Sequence, residues 1–258
     1  MTRYSRYLTA FQTIFTKELL RFTRIWLQTI LPPVITTVLY YIIFGNLIGS
    51  RIGEMDGFSY IDFIVPGLIL MAVITNSYSN VVSSFFSSKF QRHVEELIIS
   101  PVPNWVILAG YVAGGVARGV MVGIAVTSVS LFFTDIQVQS YGWTLTVFIL
   151  TAILFSLAGF INAVYANSFD DISIVPTFIL TPLTYLGGVF YSISMLPEFW
   201  QQVSLANPIL YMVNAFRYGL LGVSDIPMGV ALGIVVLFIV ALTGFSLYLL
   251  NRGIGIKN

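Results

Sequence analysis

Residues 228–250 read MGVALGIVVLFIVALTGFSLYLL and contain no Asp, Glu, Lys or Arg. A transmembrane α-helix needs about 20 consecutive apolar residues to cross the hydrocarbon core of a bilayer. Charged residues flank this stretch at Asp225 and Arg252, outside the length that a bilayer must cover. The stretch therefore predicts a membrane-spanning helix.

The composition extends this prediction to the whole chain. Of the 258 residues, 57% are hydrophobic and 9% are charged, whereas a soluble globular domain carries roughly 25% charged residues. So few charges cannot cover the surface of a soluble domain. We therefore expect a single transmembrane domain over residues 1–258.

Long gaps between charged residues recur along the sequence, and each is long enough for a span. The third gap is interrupted by Arg118 alone. The predicted fold is an all-α integral membrane protein with six transmembrane helices, at roughly 27–47, 62–85, 105–134, 143–165, 172–192 and 228–250.

The distribution of Lys and Arg predicts the orientation in the membrane. With six spans both termini lie on one side, and basic residues concentrate on the cytoplasmic side of membrane proteins. Cytoplasmic termini leave two basic residues outside, Arg51 and Arg217, and nine inside. These nine are Arg3, Arg6, Lys17, Arg21, Arg24, Lys89, Arg92, Arg252 and Lys257.

Residues 1–24, before the first span, form an amphipathic pattern. The apolar residues recur at helical spacing, while basic and polar residues occupy other faces. Such a helix lies in the membrane interface. It is either a simple surface anchor or a mechanical connector, and the pattern does not choose between them.

Several kinds of chemistry are absent from the sequence. The chain has no cysteine and a single histidine, His93, which excludes a Cys/His metal cluster. None of its three lysines follows a glycine, so no phosphate-binding loop for ATP is present. A net charge of +1 argues against nucleic-acid binding. We predict no enzyme activity, no metal site and no cofactor bound by this chain.

Polar residues form a stripe on the second predicted span. Thr75 and Ser79 are spaced i, i+4, and so are the adjacent Asn76 and Asn80, which places them along one helix face. Polar groups are unfavourable against lipid, so the stripe faces either other helices or a water-filled path. Both interpretations stay open.

Arg118 in the third span, and Asp170 and Asp171 before the fifth, each have two interpretations. Arg118 lies among closely spaced glycines, which permit close helix packing. It either pairs with Asp170 or Asp171 or contacts an anionic substrate. These two carboxylates precede the fifth span, where they could also cap the first turn of a helix.

The charged segment 86–104 is either a solvated loop or a short helix that ends at the prolines.

The segment from Leu180 to Arg217 resembles the membrane signature of ABC-2 type permeases. The shared features are the apolar positions Leu183, Leu186, Gly187 and Val189, then Leu196-Pro197, ten residues, Pro208-Ile209-Leu210-Tyr211, five residues and Arg217. The stretch Glu95-Glu96-Leu97-Ile98-Ile99-Ser100-Pro101-Val102 is similar to that family's first cytoplasmic loop.

The resemblance implies the permease subunit of an exporter in a bacterial inner membrane. It implies a homodimer in contact with membrane lipid and with two copies of a separate ABC ATPase, which binds ATP and magnesium. Three sets of residues follow from it. ATPase coupling is assigned to Gln91, Arg92, Glu95, Glu96, Asp170 and Asp171. The translocation path is assigned to Thr75, Asn76, Ser79, Asn80, Thr177 and Thr181 on spans two and five. The outer gate, a re-entrant segment over 193–217, is assigned to Pro197, Trp200, Pro208 and Arg217.

An ion- or proton-coupled secondary transporter is the alternative. Such proteins place titratable groups near the membrane midplane and commonly contain repeated halves. In this sequence Arg118 is the clear candidate for such a group, and no repeat is evident.

Overall fold

A computed structural model describes residues 3–255, so Met1, Thr2 and residues 256–258, with Lys257, lie outside the described part. The regular secondary structure of the described chain is helical apart from one small hairpin. Its elements are α1 (Arg3–Thr23), α2 (Trp26–Tyr40) with a π-helical continuation (Tyr41–Ile48), α3 (Gly49–Ile52), β1 (Glu54–Met55), β2 (Phe58–Ser59), α4 (Tyr60–Phe90), α5 (His93–Ile99), α6 (Asn104–Ser130), α7 (Tyr141–Tyr165), α8 (Asp171–Val175), a π-helical turn (Pro176–Leu180), α9 (Thr181–Tyr185), a 3₁₀ turn (Ile193–Met195), α10 (Glu198–Leu205), α11 (Pro208–Leu221) and α12 (Met228–Arg252). The strands β1 and β2 pair antiparallel.

Within residues 3–255, five helices are long and apolar enough to cross a membrane. They are Trp26–Gly45, Tyr60–Phe90, Asn104–Ser130, Tyr141–Tyr165 and Met228–Arg252. These match the first, second, third, fourth and sixth predicted spans within a few residues, except that the third ends before residue 134. The all-helical membrane class is thus supported, and the count of six spans stays a prediction.

The fifth predicted span, 172–192, is helical over a shorter range. Helix α8, the π-helical turn and α9 follow one another from Asp171 to Tyr185. Pro176 and Pro182 lie within this range, and proline cannot donate the backbone hydrogen bond that a regular helix needs. The helix then ends before Gly188, whose φ of 73° is in the left-handed region that glycine readily adopts.

Helix α4 is the centre of the fold. In its apolar stretch 78% of the residues are buried, against 17% in those of α2 and α12. Helices α6, α7 and α11 pack against it. The outward faces of α2 and α12 are left for lipid or another chain, because residues 3–255 do not cover the apolar side chains on them.

Glycines permit the closest helix contacts, as the spacing on the third span predicts. A Cβ atom at Gly159 of α7 would lie 2.5 Å from the carbonyl oxygen of Tyr78 in α4. On α6, a Cβ at Gly110 would lie 2.6 Å from Ile14, and one at Gly114 would lie 2.5 Å from Glu18. The partner of these two glycines is therefore α1.

The chain between α9 and α12 contains two short helices, α10 and α11. Pro197 directly precedes α10, and Pro208 is the first residue of α11, where the missing N–H costs nothing. The Asn207 side chain accepts a hydrogen bond from the Ile209 N–H at 3.0 Å and caps α11. The re-entrant path of this segment stays a prediction.

Candidate functional site

The predicted coupling segment begins where the chain reverses after α4. Gln91 and Arg92 lie in the turn between α4 and α5, and both are exposed. Arg92 has a φ of 63°, a left-handed conformation that few non-glycine residues adopt. This conformation turns the chain directly from the central helix α4 into α5.

Helix α5 presents its carboxylates away from the protein. Val94 is 1% exposed and anchors the helix, whereas Glu95 and Glu96 are exposed. The segment is thus a short helix, not an extended loop. The four residues assigned to coupling from this segment all lie on its exposed side.

The second predicted contact begins α8. The Asp171 carboxylate accepts hydrogen bonds from the backbone N–H groups of Asn167 at 2.8 Å and Ser168 at 3.1 Å. The Asp171 N–H donates back to the Ser168 hydroxyl at 3.2 Å, so the two residues form a capping box. The hydrogen bond from Asn167, followed by those of Ser168, holds the pKa of Asp171 below its ordinary value. The Asp171 carboxylate therefore holds the chain that leads into α8, and the neighbouring Asp170 remains exposed.

These two segments form one surface, which we call the coupling face (residues 91–96 and 167–171). The Lys89 ammonium donates to the carbonyl oxygens of Val164 at 2.6 Å and Ala166 at 2.7 Å, at the C-terminal end of α7. The Phe169 ring packs edge-on against Phe86, with centroids 4.9 Å apart. These contacts fix both segments to the same end of α4.

Helix α1 borders the same end of the molecule. Its Tyr7 ring packs edge-on against Trp105 at the start of α6. A cleft of about 370 Å³ separates α1 from the end of α5 and the chain that follows it. The residues lining this cleft are Arg6, Thr9, Ala10, Thr13, Ile14, Leu97, Ser100 and Val102.

A buried polar cluster attaches α1 to α4. Glu18 is 0% exposed and accepts hydrogen bonds from the Ser84 hydroxyl at 2.5 Å and the Asn80 amide at 3.4 Å. Arg21 lies 3.5 Å from the same carboxylate and donates to the Asn80 carbonyl and side-chain oxygens, each at 2.7 Å. We call Glu18, Arg21, Asn80 and Ser84 the α1–α4 clamp.

The α1–α4 clamp was missed by the sequence reasoning, although a signal for it exists. Glu18 follows Ile14 by four residues and precedes Phe22 by four, so it lies on the apolar face of α1. A carboxylate on that face must find partners inside the protein. The clamp places Asn80 in hydrogen bonds between α1 and α4.

The other path residues are placed differently. Thr75 and Asn76 line a cavity between α2 and α4, together with Arg118. Ser79 is half-buried. Thr177 and Thr181 are exposed and do not line this cavity.

Arg118 is not brought together with the aspartates that precede the fifth predicted span. Within the described residues, the ion pair between Glu18 and Arg21 is the one present. Asp171 is instead engaged in its capping box. The side chain of Arg118 lies at the cavity, and its Nε is buried without a hydrogen-bond partner.

The residues assigned to the outer gate divide into exposed and buried members. Pro197, directly before α10, and Trp200, within α10, are both exposed, and Trp200 is 44% exposed. Arg217 on α11 is 1% exposed, donates to the Gly188 carbonyl oxygen, and lies 3.9 Å from the centre of the Phe63 ring. Arg217 therefore lies inside the protein and stabilises the turn that ends the fifth predicted span.

Comparisons with known proteins cover nearly the whole chain. The chain is 60% identical over 252 residues to the inner membrane transport permease YadH of Escherichia coli strain K12, across 98% of each chain. It is 23% identical over 240 residues to nodulation protein J of Rhizobium meliloti strain 1021, across 93% of this chain and 92% of the relative. Nodulation protein J of Sinorhizobium fredii strain NGR234 is 27% identical over 213 residues, across 82% of this chain and 79% of the relative.

A family model described as ABC-2 type transporter matches residues 9–221. This range includes most of α1, the coupling face, the cavity at Arg118 and the short helices α10 and α11. The chain belongs to the ABC-2 type transporter family.

Proposed function

We propose that this chain is the membrane permease subunit of an ABC exporter in a bacterial inner membrane. A separate ABC ATPase binds ATP and magnesium and hydrolyses the ATP, and this chain moves the substrate outward. The observation that carries the proposal is the coupling face, where two segments far apart in sequence are attached to the same end of α4 and expose polar side chains. The name of the relative YadH, an inner membrane transport permease, supports the location.

The contacts behind the coupling face suggest how force reaches the membrane helices. The Arg92 turn connects α5 to α4 without a flexible linker. Lys89 joins α4 to the end of α7, and the α1–α4 clamp joins α4 to α1. A push on α5 would therefore move α4, α7 and α1 together as packed elements.

The assembly that we propose has two permease subunits and two ATPase subunits, with cytoplasmic termini. Apolar side chains on α2 and on the α8–α9 segment lack cover within the described chain, and they favour a second copy or lipid as the partner. These side chains include Leu31, Ile35, Leu39, Phe178 and Ile179. In this assembly the segment 193–217 would close the outer side of the path.

Replacing Glu95 and Glu96 together with Ala tests the proposal. Both carboxylates are exposed, so the variant should fold normally and lose the ATPase, because contacts to charged groups across an interface stabilise binding. The assay is affinity purification of the tagged permease from its host, with the bound ABC ATPase measured by mass spectrometry. The control is Glu54→Ala, an exposed carboxylate in the β-hairpin outside the coupling face.

Loss of the ATPase from the double variant, and its retention in the control, is the expected result. Equal ATPase recovery from both proteins would contradict the proposal, as would the absence of any ABC ATPase from the unmodified permease.

A further inference from the structure

We infer that the cavity between α2 and α4 binds the anionic group of an amphipathic ligand, and that Arg118 is its anchor. The inference deepens the proposed function, because it assigns a chemical class to the transported substrate. The assignment of the ligand as a transported substrate rests on the proposed permease function, whereas binding of the ligand in the cavity does not require an ATPase.

The cavity has a volume of about 310 Å³ and combines polar and apolar walls. Helix α2 forms one wall, α4 forms the other, and α6 contributes Arg118. The lining residues are Gln28, Thr29, Pro32, Pro33, Thr36, Thr37, Tyr40, Leu68, Met71, Ala72, Thr75, Asn76 and Arg118. None of them is acidic.

Arg118 is the feature that selects an anion. Its Nε is buried without a partner, and no described residue makes a hydrogen bond or an ion pair with its guanidinium group. An unpaired cation at this depth in a spanning segment is costly. A guanidinium presents a planar fork of donors that fits the oxygens of a phosphate, sulfate or carboxylate.

Neighbouring groups complete a site for an amphiphile. Gln28 is exposed and offers amide donors at the cavity, whereas Asn76 is 7% exposed with its amide bonded to the Ala72 carbonyl oxygen at 3.0 Å. Leu68 and Met71 supply apolar contact on the α4 wall. The cavity therefore accepts a negative group with an apolar body, and it lacks any carboxylate to hold a cationic ligand.

The absence of cysteine from the sequence permits a direct binding assay. Thr36 is exposed at the cavity, so Thr36→Cys introduces a single thiol there. The permease would be placed in phosphatidylcholine nanodiscs and labelled with N-ethylmaleimide, with and without dodecyl phosphate. The comparison ligands are dodecylphosphocholine, dodecyltrimethylammonium and inorganic phosphate. Phe132→Cys, 86% exposed outside the cavity, controls for general effects on labelling.

We expect dodecyl phosphate to slow labelling at Thr36→Cys and not at Phe132→Cys. Adding Arg118→Gln should raise the concentration for half-protection about tenfold, because a hydrogen-bonded contact to a charged group is lost. Arg118→Lys should give an intermediate value, since it keeps the charge without the planar fork. Size-exclusion chromatography and the Phe132→Cys labelling rate report whether each variant is folded.

The source of the anion is distinguished by two further arms. Protection by inorganic phosphate as strong as that by dodecyl phosphate, dependent on Arg118, identifies a soluble anion and overturns the assignment of an amphipathic ligand. Slow labelling in phosphatidylglycerol nanodiscs without added ligand, reversed by Arg118→Gln, identifies a resident lipid headgroup.

Equal protection by dodecyl phosphate and dodecyltrimethylammonium would overturn the inference, as would no protection or protection unchanged in Arg118→Gln. If Arg118→Gln does not fold, Arg118→Lys and the comparison of ligands on the unmodified arginine decide the outcome. Labelling of the cavity and ATPase recovery in the Glu95 and Glu96 variant are measured independently. Failure of one proposal can therefore be distinguished from failure of the other.

Discussion

Replacing Glu18 with Ala should destabilise the protein by removing the centre of the α1–α4 clamp. Glu18 is completely buried, and its carboxylate receives the Ser84 hydroxyl, the Asn80 amide and Arg21. Without the carboxylate, the Ser84 hydroxyl loses its acceptor inside the protein. Helix α1 would then be held to α4 by Arg21, which donates to Asn80 and Ser83, and by Lys17, which donates to Ser88.

The magnitude follows from the geometry of each contact. Removing one member of a fully buried ion pair costs about 3–5 kcal/mol, but the Arg21 side chain is 31% exposed and keeps two bonds to Asn80. The contact with Ser84 is close, whereas those with Asn80 and Arg21 are 3.4 and 3.5 Å long. We therefore expect Glu18→Ala to lower the free energy of unfolding by about 2–3 kcal/mol. Most of this loss comes from the hydrogen bond between the Ser84 hydroxyl and the Glu18 carboxylate. Glu18→Gln should lose about 1 kcal/mol, because it keeps an acceptor for Ser84.

Unfolding by sodium dodecyl sulfate in mixed micelles, followed by tryptophan fluorescence, measures this free energy. The matched control is Glu96→Ala on α5, an exposed carboxylate whose loss should change stability by less than about 0.5 kcal/mol. If Glu18→Ala costs no more than Glu96→Ala, the clamp does not stabilise the fold and the reasoning is refuted.

Two further substitutions test the packing and the buried cation by the same unfolding assay. Gly159→Ala should lower the free energy of unfolding by about 1–3 kcal/mol, because its Cβ would lie 2.5 Å from a backbone carbonyl oxygen of α4. Gly142→Ala on the same helix places its Cβ in open space and should not destabilise the protein. Equal effects of the two substitutions would contradict the close contact at Gly159. Arg217→Leu should lower the free energy of unfolding by about 1–3 kcal/mol, because the Gly188 carbonyl oxygen loses its donor in a buried turn. Tyr218 is the adjacent residue and is 37% exposed, so Tyr218→Leu should have a small effect. An Arg217→Leu variant as stable as the unmodified protein would contradict a stabilising role for Arg217 at this turn.

The spanning helices were predictable from sequence because their signal is local. A charge-free apolar run must span the bilayer whatever its neighbours are, and the predicted spans 143–165 and 228–250 match α7 and α12 within two residues. The family was also predictable, because the residues that carry the resemblance are continuous segments. The early end of the fifth predicted span has a local cause too, in Pro176, Pro182 and Gly188.

The neighbours of each polar face were decided by the tertiary structure. Helical periodicity showed that Asn76 and Asn80 share one face, but not that Asn76 lies at a cavity while Asn80 lies against α1. The members of the clamp on α1 are 59–66 residues from its members on α4. Likewise, the sequence could not decide whether Arg118 has an acidic partner.

The physical reason is the range of each interaction. Burial of apolar surface in a bilayer depends on the residues of one segment, so the sequence by itself determined the membrane class and most of the spans. Hydrogen bonds and ion pairs require two groups within a few ångströms, and only the packing of α1, α4, α6 and α7 brings those groups together. The packed structure therefore decided that Glu18 lies buried in the α1–α4 clamp, that Lys89 joins the end of α4 to the end of α7, and that Arg118 lies unpaired at a cavity.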